Sequence, residues 1–506
     1  MSTTGDPSFQ QLCDYGRETA LLQSVAHLIE WDEQTLMPPD EGAYRAEQVA
    51  YLQGAIHRRW TDPRLGDLLA QLADSPLAAD RHSDAGATIH HLRRERDKRV
   101  KLPQSLVEEL ARTASLGQQR WIEARKQNDF ASFAPVLEKV FHLKRQEADA
   151  LGYAEVPYDA LLDHFEPDAL TSNVAEVLGA LRDLLVPLVA EIAAGGREPK
   201  REILARNFPV DVQRQFGRRA AEQIGFDFRA GRLDESAHPF CSGMGPRDCR
   251  ITTRYDANFF PGAFFGILHE AGHGLYEQGQ RTDWFGLPPG EDVSLGIHES
   301  QSRMWENLVG RSRAFWQYYY DDAQRAFPEA LGGVPLDDFY FAVNDVRPSL
   351  IRVEADEATY NLHILIRFEL EQDVLHGQLA AGDLPGAWNE KYRRYLGIEP
   401  PTDSDGVMQD VHWSAALVGY FPTYSLGNLY ASQLFEQAEA DLGSLADQFR
   451  RGEFTPLRDW LGEKIHRPGR CYSATELVHR VTGGPLTHEA LLRHLRGKFA
   501  PLYGLG

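Results

Sequence analysis

Cysteine is scarce in this chain, and no two cysteines have the close spacing of a metal site. The 506 residues include only four, Cys13, Cys241, Cys249 and Cys471, and none of them forms a CxxC pair. This scarcity argues against both a disulfide framework and a cysteine zinc site. We expect all four thiols to be reduced and structural, and a hairpin would bring Cys241 and Cys249 close together.

Excess positive charge and long apolar runs are also lacking. Lys and Arg number 53 against 74 Asp and Glu, which gives a net charge of -21 without any basic block. Nucleic acid is therefore not an expected partner, and docking on anionic lipid is disfavoured. No run of about 18 to 20 apolar residues is available to span a bilayer. The N-terminal MSTTGDPSFQQ lacks the basic and apolar segments of a signal peptide, so we expect a cytoplasmic protein without a membrane partner.

Helical periodicity covers most of the chain. Apolar residues recur at three- and four-residue intervals from about residue 7 to 193, and again from residue 262 nearly to the C-terminus. Hydrophobic residues make up 42% and charged residues 25%, as is typical of a globular protein with a large core. The clearest strand is ITTRY (251–255), and the turn at 243–246 before it suggests a small hairpin. The sequence therefore predicts a mainly α protein.

Proline and glycine mark the predicted breaks between helices. Pro38-Pro39, the Asp62-Pro63 step and Pro103 are expected turns, because the residue before a proline avoids the helical conformation. The stretch 194–201, AGGREPKR, is the best linker candidate. A chain of this length would ordinarily form two or three folding units, but this linker need not be a domain boundary.

One apolar helix carries the residues that indicate chemistry. In PGAFFGILHEAGHGLYEQGQ, His269 and His273 are four residues apart, so that both imidazoles project from one helical face and can reach one zinc ion. Glu270 lies between them, where it can move a proton. This HExxH pattern is a known signature of metallopeptidase helices. The alternative, two core histidines satisfied by neighbours, is disfavoured because such polar groups are costly inside an apolar helix.

A third ligand must come from elsewhere in the chain, since a catalytic zinc site needs three protein ligands. The residues after His273 do not complete the longer HExxHxxGxxH pattern. Glu299, 26 residues after His273, begins a second helical pattern, and His298 and Glu306 are its rivals. Glu306 lies two helical turns beyond Glu299, so it could face the same way and act as the partner of an imidazole.

Several segments together resemble the metal-dependent carboxypeptidases of the carboxypeptidase Taq type, over most of the chain. The segments are WDEQTLMPP (31–39), YDALLDHFEPD (158–168), DESAHPF (234–240), DCRITTRYD (248–256), HEAGH (269–273), HESQ (298–301), IRVEAD (351–356) and GVMQDVHW (406–413). Their order and spacing make the resemblance highly specific.

The resemblance implies a ligand set and a cofactor. It implies that His269, His273 and Glu299 bind one Zn²⁺ per chain and that Glu270 is the general base. Imidazole and carboxylate ligands suit zinc, but Co²⁺ or Mn²⁺ can occupy similar sites.

The resemblance also implies an architecture. We expect a mainly α, long-helix, two-lobed zincin with a deep central groove and a small β-hairpin or sheet near the active site. A single catalytic unit would span 1–506, with an N-terminal helical part of about 1–195 and an HExxH-bearing catalytic part of about 200–506. The family's members are usually homodimers, and neurolysin and angiotensin-converting enzyme are related helical zinc peptidases.

An exopeptidase that acts at the C-terminus must recognise a free carboxylate, and a planar guanidinium does so best. Arg352, in the IRVEAD segment, is the candidate. Its alternative role is a salt bridge to Glu354, Asp356 or another acid. Arg250 and Arg254 are weaker candidates, since either could be structural.

Hydrogen-bond donors are also expected where negative charge develops on the substrate carbonyl. The candidates are His238, His412 and Tyr420, and Gln409 and Tyr424 could line the groove. In a large helical protein such residues are more often satisfied core residues.

The sequence thus predicts a zinc metallocarboxypeptidase of broad specificity, which releases single amino acids by Glu-assisted attack of a metal-bound water. Its partners would be peptides with a free C-terminal carboxylate. One alternative is a zinc oligoendopeptidase, which shares the HExxH centre but needs no carboxylate anchor. Another is a non-catalytic, zinc-stabilised peptide-binding scaffold, which the presence of Glu270 disfavours.

Overall fold

A computed structural model describes residues 5–505 and is built mainly of α-helices, as predicted. The α-helices are α1 (Pro7–Thr35), α2 (Gly42–Trp60), α3 (Pro63–Leu72), α4 (Asp84–Lys101), α5 (Gln104–Gln127), α6 (Phe130–Leu151), α7 (Pro157–Leu162), α8 (Thr171–Ala194), α9 (Val210–Ile224), α10 (Phe260–Gly279), α11 (Leu295–Arg303), α12 (Arg313–Ala326), α13 (Pro328–Leu331), α14 (Leu336–Val343), α15 (Tyr360–Leu375), α16 (Leu384–Leu396), α17 (Pro422–Leu442), α18 (Leu445–Arg450), α19 (Thr455–Leu461), α20 (Ala474–Thr482) and α21 (Glu489–Tyr503). Met304–Gly310 and Gly462–His466 are π-helical. Within residues 5–505, no helix combines the length and the apolar character needed to cross a bilayer.

The predicted breaks between helices are confirmed. Pro38-Pro39 lies between α1 and α2, and Pro103 immediately precedes α5. The Asp62 carboxylate accepts the backbone N–H of Arg64 and so caps the start of α3. The linker candidate 194–201 connects α8 with α9. The division of the catalytic unit near residue 195 stays a prediction.

A small sheet of three strands packs against α10. The strands are β1 (Gly231–Glu235), β2 (Cys241–Gly245) and β3 (Asp248–Thr253), in the order β1-β3-β2. Strands β2 and β3 form the predicted antiparallel hairpin, in which Cys241 pairs with Ile251, while β1 runs parallel to β3. Strand β1 was not predicted, because GRLDE has no β-branched residue. The strand predicted at 251–255 ends at Thr253, so Arg254 lies outside it.

The hairpin brings two cysteines together, as predicted. The Sγ atoms of Cys241 and Cys249 are 3.6 Å apart, and both thiols are free. The described residues contain two further free thiols, Cys13 and Cys471.

Two hydrophobic cores hold the molecule together. The larger core runs from α5 to α21 and encloses the indoles of Trp305, Trp316 and Trp388. The smaller core lies among α1 to α4, where Leu12 and Leu65 are fully buried. Helix α1 also reaches the sheet, since His27 Nδ1 lies 3.2 Å from the carbonyl oxygen of Gly243 in β2.

Glycines allow α11 to approach its two neighbours closely. A Cβ at Gly272 of α10 would lie 2.6 Å from the carbonyl oxygen of Gln301 and 2.7 Å from the Cα of Ser302, both in α11. A Cβ at Gly427 of α17 would lie 2.5 Å from the Cγ of Glu299. Helix α11, which carries Glu299, is therefore held between α10 and α17 at a distance that larger residues would prevent.

We predict that Gly272→Ala destabilises the protein. The new methyl group would meet backbone atoms of α11, and overpacking of this kind costs about 1–3 kcal/mol in free energy of unfolding. Gly266→Ala in the same helix is the matched control, because its Cβ would meet only the Thr253 Oγ1 at an ordinary 3.6 Å. Urea denaturation measures both variants. Equal free energies of unfolding would show that the α10–α11 contact is not tight.

Candidate metal centre

The three predicted metal ligands meet at one point. His273 Nε2 is 3.4 Å, and His269 Nε2 is 3.7 Å, from Oε2 of Glu299. One ligand atom from each of the three residues lies within 4.8 Å of the others. The rival His298 is engaged elsewhere, since its Nε2–H donates to Glu277 Oε1 at 2.9 Å. Two imidazole nitrogens and one carboxylate oxygen are the donor set of many catalytic zinc sites.

A carboxylate behind the site orients the first imidazole. The Nδ1–H of His269 donates to Oε2 of Glu306 at 2.9 Å, which leaves Nε2 with its lone pair towards the site. The spacing of Glu306 from Glu299 along the helix had suggested that it could act as the partner of an imidazole. Glu306 lies in the π-helical segment that continues α11. Burial opposes its charge, but His269 and Arg303 lower the pKa of Glu306 to about 2.

Glu299 is ionised in spite of its burial. Oε1 accepts from Arg303 Nε at 2.6 Å, and Oε2 accepts from the hydroxyl of Ser302 at 3.0 Å. Burial would raise the pKa of Glu299, yet Arg303 and His269 hold that pKa well below its usual range. Sequence reasoning missed Arg303, although its i,i+4 spacing from Glu299 is a signal for an ion pair.

The second imidazole is neutral. Burial lowers the pKa of His273 to about 3, and its ring stacks on that of His298 with centroids 4.5 Å apart. At His269, burial disfavours the charged form, but Glu299 and Glu306 raise its pKa overall. The site therefore attracts positive charge and offers imidazole nitrogens, so that its residues fit a divalent cation.

Glu270, on α10, lies beside the three ligands. Its side chain is buried, and none of the described residues forms a hydrogen bond with its carboxyl group. Burial raises the pKa of Glu270 to about 7. A carboxyl group that is free of protein partners can accept and return a proton near neutral pH.

Arg352 lies in a second charged site. Its Nε donates to Oδ1 of Asp410 at 2.9 Å, and its Nη1 donates to the hydroxyl of Tyr360 at 3.0 Å. The salt bridge considered as its alternative role thus exists, with Asp410 instead of Glu354 or Asp356. Arg352 is buried, with 7% of its side chain exposed.

A second arginine shares the same carboxylate. Arg367 Nη2 is 2.6 Å from Oδ2 of Asp410, and its side chain is fully buried. Burial opposes the charge of Asp410, but Arg367 and Arg352 hold its pKa well below the usual range. Two cations against one anion leave this site net positive. Sequence reasoning missed Asp410 and Arg367, because only the fold brings them to Arg352.

His412, Tyr420 and Tyr424 form an aromatic cluster around Arg352. His412 Nε2 is 3.3 Å from the Tyr424 hydroxyl, and the ring centroids of His412 and Tyr420 are 5.3 Å apart. The Arg352 guanidinium lies 5.1 Å from the centroid of Tyr424. Burial lowers the pKa of His412 to about 4, so that its imidazole is neutral.

The other sequence candidates have different surroundings. Gln409 accepts the backbone N–H of Arg352 at 2.8 Å and so holds that segment in place. Arg250 forms a 2.8 Å ion pair with Asp248 and lies 4.2 Å from the ring of Trp31. His238 is exposed in the loop between β1 and β2. No hydrogen bond among residues 5–505 links His238 or Arg250 to the metal ligands.

Comparisons with known proteins agree along nearly the whole chain. The model of the carboxypeptidase Taq (M32) metallopeptidase family matches residues 11–499. Thermostable carboxypeptidase 1 of Thermus thermophilus is 46% identical, over 99% of this chain and 100% of that protein. Carboxypeptidase 1 of Bacillus subtilis is 37% identical, over 96% of this chain and 97% of that protein. The crystal structure of an M32 carboxypeptidase from Deinococcus radiodurans superposes with a TM-score of 0.95 at 40% identity. The superposition covers 99% of this chain and 100% of that one.

We predict that Glu306→Gln weakens metal binding. The variant keeps the side-chain size but loses the anion that accepts the Nδ1–H of His269, and loss of such a partner typically lowers metal affinity about 10- to 100-fold. Competition with a chromogenic chelator measures the affinity. Glu147→Gln is the matched control. This buried carboxylate lies on α6, away from the site, and also pairs with an imidazole, that of His164 at 3.1 Å. Equal losses in both variants would contradict the role of Glu306.

Proposed function

On the premise that the chain belongs to the carboxypeptidase Taq (M32) metallopeptidase family, we propose that it is a zinc carboxypeptidase that releases single amino acids from peptides. The named relatives are carboxypeptidases, so this protein is a hydrolase of peptide bonds. The observation that carries the proposal is the convergence of His269, His273 and Glu299 beside Glu270, whose carboxyl group has no hydrogen-bond partner among residues 5–505.

His269, His273 and Glu299 would hold one divalent ion, which we propose to be zinc, with cobalt or manganese as possible substitutes. When bound, such an ion polarises the carbonyl of the scissile bond and lowers the pKa of a water molecule. The resemblance to the family also leads us to propose a homodimer. The cytoplasmic location stays a prediction.

Glu270 would move the proton of the reaction. It lies next to a ligand on the same helix, so its carboxylate can accept a proton from the attacking water. It would then give that proton to the nitrogen of the leaving amino acid, while the bond from that nitrogen to the carbonyl carbon breaks. Because no described residue competes for its oxygens, the carboxylate is available for both transfers.

Arg352 would bind the C-terminal carboxylate of the substrate. A guanidinium has five N–H groups. In Arg352, Asp410 engages Nε and Nη2, and Tyr360 engages Nη1. One N–H group on Nη1 and one on Nη2 therefore have no partner among the described residues. Two N–H groups can meet two carboxylate oxygens at once. Arg367 adds positive charge nearby, since it shares Asp410 with Arg352.

His412 and Tyr420 are the proposed donors to the developing oxyanion. Both lie in the aromatic cluster that contacts Arg352, and His412 Nε2 can carry the proton that this role requires. His238, Gln409 and Arg250 stay predicted substrate contacts. Broad specificity for the C-terminal residue is likewise proposed from the family resemblance.

The first test is the product of hydrolysis. We expect the zinc-loaded protein to release single amino acids from an N-terminally blocked, free-acid peptide, a chelator to stop the release, and added zinc to restore it. Mass spectrometry identifies the products. Internal fragments would instead indicate an oligoendopeptidase, and a zinc-bound protein that cleaves nothing would indicate a scaffold.

Glu270→Gln should keep its zinc but lower kcat by about 10²- to 10⁴-fold, the usual contribution of a general base.

The second test concerns the carboxylate clamp. Arg352→Lys keeps the charge but loses the planar fork. The variant would lose a hydrogen bond between the guanidinium and the charged carboxylate of the substrate. We therefore expect KM for a free-acid peptide to rise about 10- to 100-fold, with little change for the C-terminally amidated peptide. Arg182→Lys is the matched control, because Arg182 also pairs with a carboxylate, that of Glu369 at 2.8 Å. Equal losses on both peptides would remove Arg352 as the clamp.

A further inference from the structure

Tyr360 lies between the proposed metal site and the proposed carboxylate clamp. It is the first residue of α15, and only 6% of it is exposed. On one side, its ring is covered by the guanidinium of Arg303, whose Cζ lies 4.4 Å from the centroid. On the other side, its hydroxyl accepts from Arg352 Nη1 at 3.0 Å. One uncharged side chain thus contacts two cations.

Each of the two cations belongs to a different part of the site. Arg303 Nε is 2.6 Å from Oε1 of Glu299, whose other carboxylate oxygen faces the two imidazoles. Arg352 is bound to Asp410 on its far side. Three consecutive contacts, from Glu299 to Arg303, from Arg303 to Tyr360 and from Tyr360 to Arg352, therefore connect the two sites.

Backbone hydrogen bonds fix the positions of Tyr360 and Arg352 in this series of contacts. The carboxylate of Asp356 accepts the backbone N–H groups of Ala358 and Thr359, at 2.9 Å each, and so fixes the turn from which Tyr360 starts α15. The backbone N–H of Arg352 is held by Gln409. A ring can attract one cation through its face and a second through its hydroxyl oxygen. Phenylalanine could fill the same space and contact Arg303, but it could not bind Arg352.

We propose that Tyr360 is a positioning residue that fixes the guanidinium of Arg352 relative to the metal-binding carboxylate of Glu299. This inference rests on the proposed carboxypeptidase function. A terminal carboxylate and the scissile carbonyl of the same substrate are separated by one residue, so the groups that bind them must keep a set distance. Misplacement by about 1 Å can cost about 10²-fold in rate, and Tyr360 keeps Arg352 from adopting other positions.

The test is Tyr360→Phe in the zinc-loaded protein. We expect kcat/KM for a free-acid peptide to fall about tenfold, because a hydrogen bond to a charged group is lost, and the fall to come mainly from a higher KM. Zinc affinity should not change, because the ring stays over Arg303. Tyr395→Phe is the matched control, since that buried hydroxyl donates to Glu369 at 2.8 Å. It should leave KM unchanged.

A double-mutant cycle with Arg352→Ala separates positioning from a general structural role. If Tyr360 acts through Arg352, Tyr360→Phe should have no further effect on KM once Arg352 is Ala. A full tenfold effect in that background, or an unchanged KM in the single variant, would overturn the inference. If Arg352→Ala itself leaves free-acid hydrolysis intact, the proposed clamp fails and the inference fails with it. An impaired Arg352→Ala beside a normal Tyr360→Phe overturns the inference alone.

Discussion

The site depends on how closely α11 packs between α10 and α17. Glu299 lies on α11, whereas both imidazoles lie on α10, so their convergence is set by the separation of the helix axes. Gly272 and Gly427 remove the side chains that would hold the helices apart, and each faces backbone or side-chain atoms of α11. The absence of two side chains therefore decides whether three others can meet.

Two charged sites lie in the same core. Around Glu299 and Glu306, Arg303 and Arg311 offset the charge of the carboxylates, while two imidazole nitrogens and a carboxylate oxygen of Glu299 converge where a cation could bind. Around Asp410 two arginines outnumber one carboxylate, so that site is suited to an anion. A peptide with a free C-terminus offers both an electron-rich carbonyl oxygen and a carboxylate. In the proposed function, the metal ion would meet the carbonyl oxygen and Arg352 the carboxylate, so that an exopeptidase would need both sites.

Helices hold these side chains in place because the helical backbone is rigid and because residues at regular intervals along it share one face. His269 and His273 share one helical face, and Glu306 follows Glu299 closely enough to reach the back of His269. The contact of Glu306 comes from a π-helical segment, a feature that often marks functional sites. The small sheet contributes none of the three candidate ligands, but β3 packs against α10, where Gly266 and Gly274 face Thr253 and Cys249.

Sequence patterns alone predicted the helical class, the hairpin and the HExxH pair, because each of these depends on residues that are near one another along one helix or turn. The spacing of Glu306 from Glu299 suggested an imidazole partner, but only the packing of α10 against the segment after α11 made that partner His269. Strand β1 was missed because it is parallel to a distant strand and has a poor β-forming composition. Asp410, Arg367 and Tyr360 were missed for a related reason. Asp410 lies 58 residues after Arg352, and Tyr360 and Arg367 lie on α15 beyond an irregular stretch, so none of these contacts leaves a periodic pattern; they exist only once the helices have packed.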